Sequence, residues 1–362
     1  MNKSWQMNRK YEGLMRIIST FIPPPLHTFT LSPLHPFFCL AALICFSGTA
    51  IAREQPQIPP TDRTRLAEAF RVADRLGDEI WKGWSKAPFA VLLVTDEHEF
   101  LVRHPNPPKE FSKSSYDPAL KSDVYHRKRG FGPGMIATLF LEGIPTVVIG
   151  QAENTYTRTS TPWVIVLLHE HFHQLQYSQS DYRSKTEALN LARGDQNSMW
   201  MLNHPFPYTD PEVNKRFSAL CRALSDALAA PAADLKSKAA AYFAARREFT
   251  GALSADDSKY FSFQIWQEGL ARYTEYHLAT LAAARYKPAA EFSALKDFTP
   301  FEQVARGLRK GIVTDLPNMS FEKIQRIVFY GFGAAEGLLL DRVNKNWRRA
   351  YLAEKFDTSK HY

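Results

Sequence analysis

The chain is poor in cysteine: Cys39, Cys45 and Cys221 are all that 362 residues contain. That excludes a disulfide framework, so stability has to come from a buried core and, where the residues allow, from a metal. It also lacks an apolar run long enough to cross a bilayer. The stretch from Pro36 to Phe46 covers about 11 residues against the ~20 that a spanning helix needs. No basic stripe interleaved with aromatics occurs, and of the net charge of +8, Lys3, Arg9, Lys10 and Arg16 against Glu12 account for three. Nucleic acid is therefore not an expected partner. There is no internal repeat and no long low-complexity run, while 45% of the residues are hydrophobic. The expectation is a globular protein with one large core or two modest ones.

The first 52 residues are expected to be a signal peptide. A basic stretch leads to the apolar run, and Ala50 and Ala52 give the small-x-small pattern of a cleavage site. Cleavage near Ala52 would export the protein to a periplasm or the medium and leave Cys221 as the sole thiol. The segment ahead of the apolar run is long and broken by Pro23, Pro24 and Pro25, which makes Met15 an alternative start. An uncleaved N-terminal anchor is the alternative, and it would be the chain's one tie to a membrane.

Beyond a Pro-rich linker from Gln55 to Pro60, apolar residues at helical spacing from Leu66 to Ile80 predict a helix capped at Thr61 or Asp62 and ending near Trp84. Runs at 89–95 and 99–104 read as a hairpin turning at Asp96 to His98. A loop to about Gly134 precedes a second hairpin, 136–141 and 146–149, and the edge-like run Thr146 to Gly150 is a candidate for pairing with an extended peptide. From Thr161 and Pro162 onward the chain reads as helix: 161–179, 211–229, 232–250, 257–284, 300–307 and 321–344. Region 53–160 thus combines a helix with a small β-sheet, and region 161–362 is mainly helical, the two forming one unit. The fold class is α+β, with the first helix of the second region lying against the sheet.

That helix carries His169, Glu170 and His173 in the HExxH spacing. Residues four apart share a helix face, so both imidazoles can reach one Zn²⁺, and Glu170, about 100° round, can act on a water as general base. Chance yields one such match in about a hundred chains of this histidine content. Buried without a partner, two histidines and a glutamate would cost several kcal/mol, of order ~5. His171 points to the opposite side and is expected to pack or be solvated. Catalytic zinc needs a third protein ligand and an open position. Glu268 is the foremost candidate, followed by Gly269 in an otherwise good helical segment and with Glu275 on the same face, although an i, i+4 pair with Arg272 would also explain it. Asp181, Glu187, Asp195 and His204 are further candidates. Gln174 and Gln176 are placed to orient the histidines. An oxyanion would need a donor, for which Tyr330, ahead of Gly331 and Gly333, leads Tyr273, Tyr276 and His277.

The stretch from His169 to Gln176, taken with Trp266 to Tyr276 and its Glu-Gly-x-Ala at Glu268 to Ala271, resembles the gluzincin, or peptidase MA-like, zinc metallopeptidases. The resemblance covers roughly Thr161 to the C-terminus, with the earlier hairpins as the substrate-flanking sheet. It implies a zincin-like fold with His169, His173 and Glu268 as zinc ligands, Glu170 as general base and a peptide or protein as substrate. The gap between His173 and Glu268 is longer than in many of these peptidases and leaves room for a helical insertion around 199–245. A catalytically inactive zinc-scaffold binding protein of the cell envelope is the alternative.

Overall fold

The computed structural model describes residues 55–195 and 198–362. The expected signal segment lies outside them. Six strands, β1 (Ala90–Val94), β2 (His98–Val102), β3 (Ser112–Asp117), β4 (Ser122–Lys128), β5 (Ile136–Leu141) and β6 (Ile144–Gly150), form one sheet in the order β3-β4-β2-β1-β6-β5. Both expected hairpins are present, β1 with β2 and β5 with β6. Parallel pairing of β1 with β6, Val91 opposite Val147 and Leu93 opposite Ile149, joins them.

Alternation divides the apolar residues between the two faces of this sheet. Val91, Leu93, Phe100, Val102, Val147 and Ile149 join the main core beneath the helices. Leu92, Val94, Leu101 and Val148 face the other way, where Phe111 and Met135 cover them. Two expectations need correction. The segment before Gly134, read as loop, contains the β3–β4 hairpin; β3 is a polar edge strand, Ser-Lys-Ser-Ser-Tyr-Asp, with no buried residue to produce an apolar signal. Thr146 to Gly150 is no edge: β6 is hydrogen-bonded on both sides, and β5 forms the rim on that side of the sheet, opposite β3.

The long helices are α1 (Pro60–Ile80), α2 (Ser160–Tyr177), α3 (Pro211–Ala229), α4 (Leu235–Gly251), α5 (Ala255–Gln264), α6 (Leu270–Arg285), α7 (Phe301–Arg309) and α8 (Val328–Val343). No helix among the described residues is long and apolar enough to cross a membrane. Ile58 to Tyr362 make up one compact unit, of mixed α+β class. α1 stops at Ile80, and Trp84 follows in a 3₁₀ turn entered through Gly83 at φ 88°. α2 is buried along its whole length except at Pro162 and Tyr177. It lies on the sheet, where Gln174 donates its amide protons to the carbonyls of Ala90 on β1 and Pro145 on β6.

Two helices expected to be continuous are interrupted. The 257–284 helix divides into α5 and α6 around a π-helical turn, Ile265–Gly269. The 321–344 helix begins as one short turn, Phe321–Ile324, and breaks at Gln325, whose φ of 44° with ψ of −130° no helix tolerates, before α8 starts at Val328. The two interruptions belong to segments in backbone contact: a Cβ on Gly269 would stand 2.5 Å from the Cα of Gly333, and one on Gly333 2.6 Å from the Cα of Gly269. Only glycine fits at this crossing.

Candidate metal centre

α2 and the π-helical turn bring three donor atoms together. The Nε2 atoms of His169 and His173 are 3.1 Å apart, and Oε2 of Glu268 stands 3.6 Å from the first and 3.5 Å from the second. Donors held at ~2.0–2.1 Å by a tetrahedral zinc ion stand about 3.3 Å from one another, so the triangle has the dimensions of one face of that tetrahedron. Glu170 is another nearby carboxylate, and with the two histidines it forms a set whose ligand atoms lie within 4.8 Å of one another. Its Oε2 is engaged by the Thr138 hydroxyl at 2.8 Å. Glu268 faces both imidazoles with one oxygen, and on that ground it is the better placed of the two carboxylates to complete a ligand set.

Each imidazole is held with Nε2 inward. Nδ1 of His169 donates to Oε1 of Glu275 at 2.6 Å. Nδ1 of His173 donates to Oε1 of Gln176, also at 2.6 Å. The Gln176 amide has one orientation, because its nitrogen faces the carbonyls of Trp266 and Gln267 and the Tyr351 hydroxyl. Its oxygen must therefore be the end that meets His173, and His173 must donate. The Gln267 amide nitrogen, 3.1 Å from the same Nδ1, is a neighbour and no donor to it, since that nitrogen's proton is already given away. Two nitrogen lone pairs and a carboxylate oxygen then converge, an arrangement that calls for positive charge. Burial alone would lower the pKa of His169, yet the carboxylates of Glu268 and Glu275 raise it to about 9. The Glu268 carboxyl moves the opposite way: burial opposes its ionisation, but both histidines and Arg326 hold it well below the usual carboxylate range. A proton meets this demand in part, and a divalent cation meets it in full.

Glu170 sits beside the triangle, tied to the sheet by Thr138 on β5. Tyr330, on α8, lays its ring over His169, centroids 5.8 Å apart and planes 13° from parallel. Its hydroxyl accepts from Arg326 at 3.2 Å, and burial pushes the phenol's pKa upward, so it stays protonated. Arg272 lies over the Tyr330 ring at 5.6 Å and donates to Oε2 of Glu275 at 2.6 Å. Tyr156, from the loop ahead of α2, bonds to Arg272, and burial raises its pKa as well.

The other expected candidates lie elsewhere or serve other partners. Asp181 pairs with Lys355, Glu187 with Arg183, and His204 with Asp257. Asp195 accepts from the backbone of Trp200. Tyr273 donates to Asp341, beside which His277 also lies, and Tyr276 packs against the core. The alternative pairing of Glu268 with Arg272 is not formed; Glu268 is bonded by Arg326 instead. Gln176 orients His173, but Gln174 bonds to His171, whose ring packs flat on Phe89 as part of the core. Sequence reasoning missed Tyr156, Thr138, Arg272 as a site residue and Arg326. Tyr156, Thr138 and Arg326 stand in no motif and only the fold brings them to the histidines, while Arg272 lies within the Trp266 to Tyr276 stretch, where the spacing suggests it only as a partner of Glu268. No protein-family model, curated protein or solved structure matches the chain, and its chemistry is read from its own residues.

Proposed function

We propose that the protein is an exported zinc-dependent metallopeptidase, zincin-like in fold and gluzincin-like in its ligands, that hydrolyses peptide bonds. The observation that carries this reading is the triangle of His169, His173 and Glu268 with a second carboxylate, Glu170, beside it. A zinc ion held by His169, His173 and Glu268 would supply Lewis acidity and make a water molecule easier to deprotonate. Glu170, oriented by Thr138, takes the water's proton and passes it to the leaving amine. Tyr330, protonated and steadied by Arg326, offers its hydroxyl to the carbonyl oxygen as negative charge develops there.

The rim strand β5 extends the reading to substrate binding. It carries Thr138, the residue that holds Glu170, so an extended peptide hydrogen-bonded to this rim runs past the base. Phe140, 57% exposed at the end of β5, stacks on Tyr177, which stacks on His173. An apolar side chain of the peptide finds a partner there.

Elemental analysis of the purified wild type beside His173→Ala and Glu268→Ala tests the metal, with one zinc per wild-type chain and a large loss in both variants expected. Equal zinc in all three would overturn the assignment. Glu170→Gln tests the chemistry: zinc content should be kept and hydrolysis of a peptide library should fall by at least a hundredfold, on the order of the general-base contribution. A zinc-loaded wild type that cleaves no peptide would favour the binding scaffold.

A further inference from the structure

Arg326 is buried, and its guanidinium bridges both sides of the site. One nitrogen, Nη1, lies 3.2 Å from Oε1 of Glu268 and 3.4 Å from Oε1 of Gln264, while Nη2 donates to the Tyr330 hydroxyl at 3.2 Å. The two oxygens of Glu268 are thereby divided: Oε1 belongs to Arg326, and Oε2 faces the histidines. The backbone is bent immediately ahead of Arg326. Gln325 adopts φ 44° and ψ −130°, a conformation costly for a residue with a side chain, and so ends the Phe321–Ile324 turn immediately before Arg326.

We propose that Arg326 is a positioning residue of the metal centre, one that keeps Glu268 a one-oxygen ligand and fixes the Tyr330 phenol against His169. This rests on the zinc reading above. A carboxylate free to rotate can present both oxygens and fill the position that a catalytic zinc ion keeps open. The planar fork of arginine is suited to the task, since it reaches a carboxylate and a phenol at once; the single ammonium of lysine would supply charge without the bridge.

The test uses metal-stripped wild type, Arg326→Gln and Arg326→Lys, each titrated with zinc against a chromophoric chelator and separately with Co²⁺, whose visible bands report coordination number. Zinc affinity is expected to fall roughly 10–100-fold in Arg326→Gln, the usual effect of losing a partner that orients a ligand. Part of that affinity should return in Arg326→Lys. The cobalt bands of both variants should weaken as a second Glu268 oxygen enters. A residue that served stability alone would lower the urea midpoint of the metal-free protein and leave the cobalt spectrum unchanged. Should Arg326→Gln fail to fold, Arg326→Lys decides: zinc affinity within twofold of wild type with an unchanged cobalt spectrum overturns the proposal. A wild type that takes up no zinc is a different result, and it removes the zinc reading together with the role built on it.

Discussion

His171 lies between His169 and His173 in the chain, yet its ring is pressed against Phe89 at 3.6 Å with the planes 1° apart, and it stacks on Trp84 as well. Burial drives its pKa down to about 3, with the charge of Arg103 adding to the effect. In the unfolded chain the same group titrates near 6.5. The folded protein therefore binds fewer protons between these values. Stability from this residue is complete above about pH 6.5 and declines as the pH falls towards 3, by up to about 1.4 kcal/mol per pH unit. Urea unfolding of metal-free wild type and His171→Gln at about pH 7 and about pH 5 should show a steeper acid loss in the wild type. Parallel losses in the two proteins would contradict this. The spacing in the sequence was enough to turn His171 away from its neighbours. It could not show Arg326, which meets Glu268 across 58 residues through a backbone bend that no local pattern encodes.

Among the elements, α2 was the most legible, since its apolar run and its polar HExxH face lie within a few turns of one helix. The breaks in the two later helices were hidden because their cause is tertiary. Gly269 closes the π-helical turn that carries Glu268, Gly333 stands one turn beyond Tyr330, and the two backbones touch. Gly333→Ala forces these segments apart. We expect it to destabilise the protein by about 1–3 kcal/mol, the ordinary range for overpacking, and to weaken zinc binding as Glu268 moves. Urea unfolding and zinc titration of the same preparation check both effects. A variant as stable as wild type would show that the crossing has slack. The polar β3–β4 hairpin was illegible for a different reason, because an exposed edge strand needs no apolar alternation.

At the scale of the molecule, the three proposed ligands come from α2 and from the π-helical turn, so a metal held by them ties the helix lying on the sheet to the helical region that follows. Binding to the folded state alone adds stability by mass action, about 4 kcal/mol when free zinc exceeds its dissociation constant a thousandfold. For a chain of this size, chelation should lower the melting temperature by about 5–10 °C. Calorimetry of zinc-loaded protein with and without a chelator measures it, and coincident transitions would count against a zinc that ties α2 to the π-helical turn. The α+β class and the place of α2 on the sheet were legible because period-2 and period-3.6 patterns succeed one another along the chain. Which strand forms the rim was not, since strand order depends on a parallel pairing between segments far apart in sequence. The Gly269–Gly333 crossing has a consequence for descent as well. A side chain at either glycine would press on the backbone that carries the other, so a homologue that lacks one of them is expected to show a shifted turn at the position of Glu268.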